Sequence, residues 1–251
     1  MGGDPAFEYL LRLGDNCLIL GHRVSEWCGH GPVLEEDLAL ANVALDLIGQ
    51  ARLWLSLAGD AESAGRDADK LAYLRDAREF RNLLLVEQKN GDFAMTIGRQ
   101  FLFDAWHHLL LGELRRCTEA QIAEIADKAI KEVTYHLERS GDWVIRLGDG
   151  TEESRRRMQK AIDLLWPYTG EMFEMDEVDE ALLGTGGAAD LTRLRQPWLA
   201  HVAAILEEAT LETPGSGWMQ RGGKRGIHSE HLGYLLAEMQ FLQRAYPGAA
   251  W

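Results

Sequence analysis

Apolar residues recur along this chain at the three-and-four spacing of helices, in runs separated by short polar or glycine-bearing breaks. Residues 5–27 read as a first helix, closed by Gly29-His-Gly-Pro32. Pro32 and the acids Glu35, Glu36 and Asp37 open a second over about 35–58, with negative charge where the helix dipole favours it. A third run, Lys70 to Gln88, stops at Asn90-Gly91, and Asp92 is a natural N-cap for a helix to about Arg116. Further helices are expected over about 119–147, over 151–183 with a kink at Pro167, from Asp190 to Leu211, and from Ser229 to about Arg244. The two-residue alternation of strands is missing. With several runs longer than twenty residues, the pattern predicts an all-α fold: one domain over 1–251, a ferritin-like bundle of long antiparallel helices with flanking helices. Helices 35–58, 92–116, 119–147 and 151–183 would form its core.

Composition sharpens this picture. A chain of 251 residues with 46% hydrophobic content can bury roughly three quarters of its unfolded surface in one large core. Its net charge of −14 argues against nucleic acid or an anionic membrane as a partner. The three cysteines, Cys17, Cys28 and Cys117, have neither disulfide-framework nor metal-ligand spacing, which suits a reducing compartment. Met-Gly-Gly-Asp-Pro lacks the features of a secretion signal. The most apolar stretch, Leu38 to Ala58, is broken by Asn42, Asp46, Gln50 and Arg52. A soluble, cytoplasmic protein is expected.

Chemistry enters at Asp104 and His107, three residues apart in an otherwise apolar run, so that both project from one helix face. Four-helix bundles build dinuclear metal sites from a carboxylate plus His on each of two helices and a lone carboxylate on the other two. Acids stand in apolar settings on each expected core helix: Asp46, Asp104, Glu132 and Asp163. In chain order they give acid, acid-x-x-His, acid, acid-x-x-Trp, which is the ferritin-like order with Trp166 in place of the second imidazole. Tryptophan cannot ligate, so a degenerate site without metal is expected, its acids held by neighbours such as Lys128 and Arg139. His136, four residues after Glu132, is a spare imidazole on the wrong helix. No catalytic residue is expected. The alternative is an autonomous di-iron carboxylate oxidase of the ferritin-like class.

Other features read more plainly. Arg221-Gly-Gly-Lys-Arg-Gly-Ile-His228 has no strand before it, so it is no P-loop and reads as a flexible basic loop. His228 and His231 flank a helix start, where surface exposure explains them. Eight tryptophans are more than a core of this kind needs and suit a protein–protein interface as well.

Longer motifs carry a resemblance. Leu13-Gly-Asp-Asn-Cys17, Glu26-Trp-Cys-Gly-His30, Leu45-Asp-Leu-Ile-Gly-Gln-Ala-Arg52, Asn82-Leu-Leu-Leu-Val-Glu-Gln88, Asp104-Ala-Trp-His107 and Lys128-Ala-Ile-Lys-Glu132 are joined by Tyr135-His-Leu137 and Gly222-Gly-Lys-Arg-Gly-Ile-His-Ser-Glu-His-Leu-Gly233. From about Leu10 to Trp251 the chain resembles the C subunits of bacterial phenylacetyl-CoA epoxidases. The resemblance implies a structural, non-catalytic subunit of a monooxygenase complex in aerobic phenylacetate breakdown. It would form a hetero-oligomer with a catalytic A subunit that holds the iron. NADPH, flavin and iron–sulfur chemistry would belong to a separate reductase, with no cofactor in this chain. It also implies contact with the CoA ester at the subunit boundary. Glu79, Phe80, Arg81 and Asn82 are the stretch expected there, with Arg81 meeting phosphate and Phe80 stacking on adenine; Glu180, Ala181 and Leu182 are a second stretch.

Overall fold

The computed structural model describes residues 4–215 and 217–249 and is helical throughout, with no strand among them. Ten α-helices follow in order: α1 Pro5–Ser25, α2 Leu34–Glu62, α3 Ala68–Tyr73, α4 Phe93–Leu114, α5 Ala120–Gly148, α6 Glu152–Leu165, α7 Glu177–Leu183, α8 Leu191–Glu208, α9 Glu230–Met239 and α10 Phe241–Ala245. The all-α expectation holds. The chain gathers into two compact units, Met1–Lys89 with Gly222–Trp251, and Asn90–Arg221.

In the first unit, Pro5 at the opening turn and the Asp4 carboxylate, which accepts from Ala6 N–H at 3.0 Å, start α1. Helix α1 lies against α2 so closely that a Cβ on Gly14 would come 2.7 Å from Leu55 Cδ2. It is buried on nearly all sides and takes Asp15, Asn16 and Arg23 with it. Those polar groups explain why Lys70 to Gln88 is not the single helix its pattern suggests. Helix α3 ends at Tyr73, and a 3₁₀ turn spans Ala77–Glu79. Asp15 accepts from Arg81 N–H at 2.8 Å and Asn16 from Leu83 N–H at 2.8 Å, drawing off the donors a continuing helix would have used. Buried Arg75 turns back to form a two-pronged ion pair with Asp15.

The carboxy-terminal segment completes this unit. Glu87, fully buried, accepts from Asn82 Nδ2 at 3.0 Å and Ser229 N–H at 2.7 Å, and faces His228 Nδ1 at 2.8 Å. His228 is therefore not a surface residue: its side chain is 4% exposed, and Nε2 lies 3.0 Å from Phe80 O. The glycine-rich stretch before it is a folded turn. Gly226 has φ +72° and passes so near the backbone that a Cβ would meet Arg78 O at 2.2 Å.

In the second unit, α4 is the central helix, packed by α5, α6 and α8. Its run of Phe101, Leu102, Phe103, Leu110 and Leu111 is fully or almost fully buried. Trp198 on α8 and Trp106 on α4 are buried with their indole N–H groups donating to Leu102 O and Met172 O, each at 3.0 Å. The expected helix 151–183 ends at Leu165. Pro167 has no N–H for Asp163 O and its ring crowds that carbonyl, so the chain passes into 3₁₀ turns at Trp166–Tyr168 and Gly170–Phe173 before α7. A full break replaces the expected kink.

Candidate functional site

Helix α4 carries the acid and imidazole singled out by their spacing, and both are buried: Asp104 at 0% exposure and His107 at 3%. An ionised carboxylate in such a place needs several donors. Gln100 Nε2, one turn earlier on the same face, donates to Asp104 Oδ1 at 2.7 Å, and Ser140 Oγ on α5 donates to Oδ2 at 2.9 Å. His136, one turn before Ser140, is buried too and lends its positive field to Asp104, with a smaller share from Arg139. Burial dominates even so, and the Asp104 carboxyl is pushed up to about 6. Burial likewise holds the His107 imidazole down to about 3, helped by His136 and His108. The rings of Phe103 and Trp106 sit 5.0 and 6.4 Å from that of His107. The result is a dry, hydrogen-bonded polar island inside an aromatic wall.

The other expected positions behave differently. Glu132 is half-buried on α5, and Lys128, expected to stand in for metal charge, is exposed. Asp163 is not a core acid: it faces solvent on α6, where Gln159 Nε2 donates to it at 3.0 Å. Trp166 is buried against the indole of Trp198, ring centres 5.5 Å apart. Asp46 is half-buried on α2 in the first unit. Among the described residues no three His, Cys, Asp or Glu side chains converge as a metal ion requires. A dinuclear iron centre, which wants about four carboxylates and two imidazoles, does not fit the residues present in the second unit.

Asp104, His107 and His136 come together, so the spare imidazole on α5 does reach this site. Gln100 and Ser140 were missed. Both were visible as polar residues one turn from Asp104 and His136 on inward faces.

The two stretches proposed for CoA contact can also be placed. Phe80 is fully buried, with the Arg75 guanidinium 4.3 Å from its ring centre, so that face of the ring is already covered by a cation. Asn82 is fully buried as well, donating to Glu87 and to Leu83 O. Glu79 is exposed, and Arg81 is half-buried with its Nε 2.7 Å from Glu8 Oε2. On α7, Glu180 and Ala181 are exposed and Leu182 half-buried.

Comparison with known proteins gives two concordant matches. A family model described as phenylacetic acid catabolic protein matches residues 3–251. The C subunit of 1,2-phenylacetyl-CoA epoxidase from Escherichia coli strain K12 is 54% identical over 243 residues, 97% of this chain and 98% of that protein.

Proposed function

The chain belongs to the phenylacetic acid catabolic protein family, and from that membership we propose that it is the C-type subunit of a phenylacetyl-CoA epoxidase. On this reading it has no redox centre of its own and supports a di-iron A-type subunit that carries out the epoxidation. Iron belongs to that subunit, and NADPH, flavin and iron–sulfur groups to a reductase. The observation that carries the non-catalytic part is the environment of Asp104. Both of its oxygens are engaged by protein donors, from Gln100 and Ser140, in the place where a metal-binding bundle would offer lone pairs to iron. Solvent-facing Asp163 and the buried indole of Trp166 support it, because the fourth helix then supplies neither an inward acid nor an imidazole. These observations disfavour an autonomous di-iron oxidase. Contact with the CoA ester, on the same reading, falls to exposed Glu79, Glu180 and Ala181 and half-buried Arg81 and Leu182 rather than to Phe80 or Asn82.

The test is elemental analysis of the purified chain after anaerobic loading with ferrous iron, followed by turnover assays with and without an A-type subunit. No stoichiometric iron, and epoxidation that requires the A-type subunit, are expected. Two irons per chain, lost in an Asp104→Ala, His107→Ala double variant, would overturn the non-catalytic reading.

A further inference from the structure

A cavity of about 320 Å³ opens on the first unit, between α3 and the chain that leaves α10. Hydrogen bonds to the backbone hold its walls. Gln240 Nε2 donates to Ala72 O and Arg75 O, each at 3.0 Å. Arg244 Nη2 donates to Leu74 O and Arg75 O at 3.2 and 2.8 Å, so α10 is pinned against the end of α3. Beyond α10 the chain makes a tight turn, in which Ala249 N–H donates to Tyr246 O at 3.2 Å and Gly248 takes φ +80°. Pro247 and Gly248 are the pair such a turn requires, one fixing φ and the other admitting the left-handed conformation. The volume stands at the lower end of the range for ligand sites, which suits a single ring or a short chain.

The lining combines aromatic surface with hydrogen-bond acceptors. Tyr73, Leu74, Tyr246 and Pro247 supply the apolar part. Asp67 and Asp69 bring carboxylates. Burial, and then the charge of Asp69, hold the Tyr73 hydroxyl above its ordinary value, so the field of that carboxylate falls on the ring. Lys70 is the single basic residue among the described lining residues, and Gly65 O engages its ammonium at 3.1 Å. Gln243 adds a third acceptor, a side-chain oxygen that is buried with no hydrogen-bond partner. An acceptor stripped of water in this way is costly until a donor reaches it.

Charge and hydrogen bonding select the occupant. Two carboxylates repel an anion. A neutral hydrocarbon would cover the rings and leave Gln243 Oε1 unserved. An ammonium ion donates N–H to the acceptors and is attracted to the faces of tyrosine rings. We propose that this cavity is a binding site for a small organic ammonium ion with an apolar body. The nitrogen meets Asp69 and Gln243, and the body lies against Tyr73 and Tyr246. The site lies within the first unit and is independent of the epoxidase reading.

The experiment is calorimetric titration of the full chain, near neutral pH and at low salt, with benzylamine and butylamine as probes. Benzyl alcohol and benzoate serve as the neutral and anionic counterparts of benzylamine. Saturable binding of benzylamine is expected, with the alcohol and the benzoate at least about tenfold weaker. Asp69→Asn and Gln243→Leu should each weaken benzylamine about fivefold, in variants whose folding is checked by circular-dichroism melting. Tyr246→Ala, at an exposed position, keeps the test open if either variant fails to fold, and should weaken binding by a similar factor. No saturable binding of either amine would overturn the proposal. Equal affinity for benzyl alcohol, or tighter binding of benzoate, would overturn the ammonium assignment. Benzylamine binding unchanged in every folded variant would place the amine elsewhere on the chain and overturn the site.

Discussion

Asp104 and His107 have exchanged a proton on folding, and this shapes how the core responds to acid. Between about pH 4 and 6 the unfolded chain carries the proton on His107, whose ordinary value is 6.5, and none on Asp104, ordinarily 3.8. The folded chain does the reverse, because burial lifts Asp104 to about 6 and holds His107 near 3. Folded and unfolded states bind equal numbers of protons at the two sites, so the pair contributes no pH slope to stability there. Taken singly the slopes oppose each other. The Asp104 contribution falls as pH rises towards 6, and that of His107 falls as pH drops below 6.5. Asp104→Asn removes one slope and exposes the other. Relative to wild type, this variant should lose stability on going from pH 6 to pH 4, by roughly 3 kcal/mol at about 1.4 kcal/mol per pH unit. Urea denaturation of both proteins across that range checks it; a constant difference between them would rule the exchange out. Asp104 and His107 were legible in sequence because a polar pair at helical spacing inside a continuous apolar run has only inward faces available. Asp163 misled for a related reason. Its neighbour Leu164 is 52% exposed, so the apolar company that suggested a core position lies partly on the outside of α6.

Two glycines should respond oppositely to the same change. Gly49 sits mid-helix in α2, exposed and with room for a side chain, and there its backbone freedom is only a cost. Gly49→Ala should stabilise the isolated chain by about 0.5–1 kcal/mol. At Gly226 the left-handed φ of +72° and the 2.2 Å approach to Arg78 O leave no place for a Cβ. Gly226→Ala should cost more than about 2 kcal/mol, the left-handed penalty plus displacement of the turn. Thermal melting of both variants is the measurement, and equal shifts of either sign would contradict the argument. Helices α1, α2, α4 and α5 were legible to within a few residues because their periodic runs are long. Lys70 to Gln88 and the 151–183 stretch were not, for a common reason. What decides them is a partner or a steric clash that periodicity does not record: the carboxylate of Asp15 and the amide of Asn16 in one case, the ring of Pro167 in the other.

At the scale of the whole molecule the chain leaves its first unit at Lys89 and re-enters it at Gly222, so that unit depends on residues from both ends of the sequence. No local pattern announces such a return, which is why the stretch before α9 read as a flexible loop. The returning segment is fastened by His228. Its Nε2 faces Phe80 O at 3.0 Å and its Nδ1 faces Glu87 Oε2 at 2.8 Å. The ring is thus held between two buried oxygens, one facing each nitrogen. Glu87 already accepts from Asn82 and Ser229, and its backbone carbonyl takes the Arg23 guanidinium at 3.1–3.2 Å, so the same point also joins α1. Removing the imidazole leaves buried oxygens short of a hydrogen-bond partner, typically at about 1–3 kcal/mol. His228→Ala should therefore loosen the first unit specifically. Hydrogen exchange read by mass spectrometry should speed up in α1, in residues 80–88 and in α9, while α4 and α5 in the second unit keep their protection. His228→Ala with Glu87→Leu, which removes both polar partners and keeps an apolar filling, should recover part of the loss. Equal acceleration in both units would mean that the chain unfolds as one cooperative body. Unchanged exchange would mean that the imidazole contributes nothing to holding the returning segment.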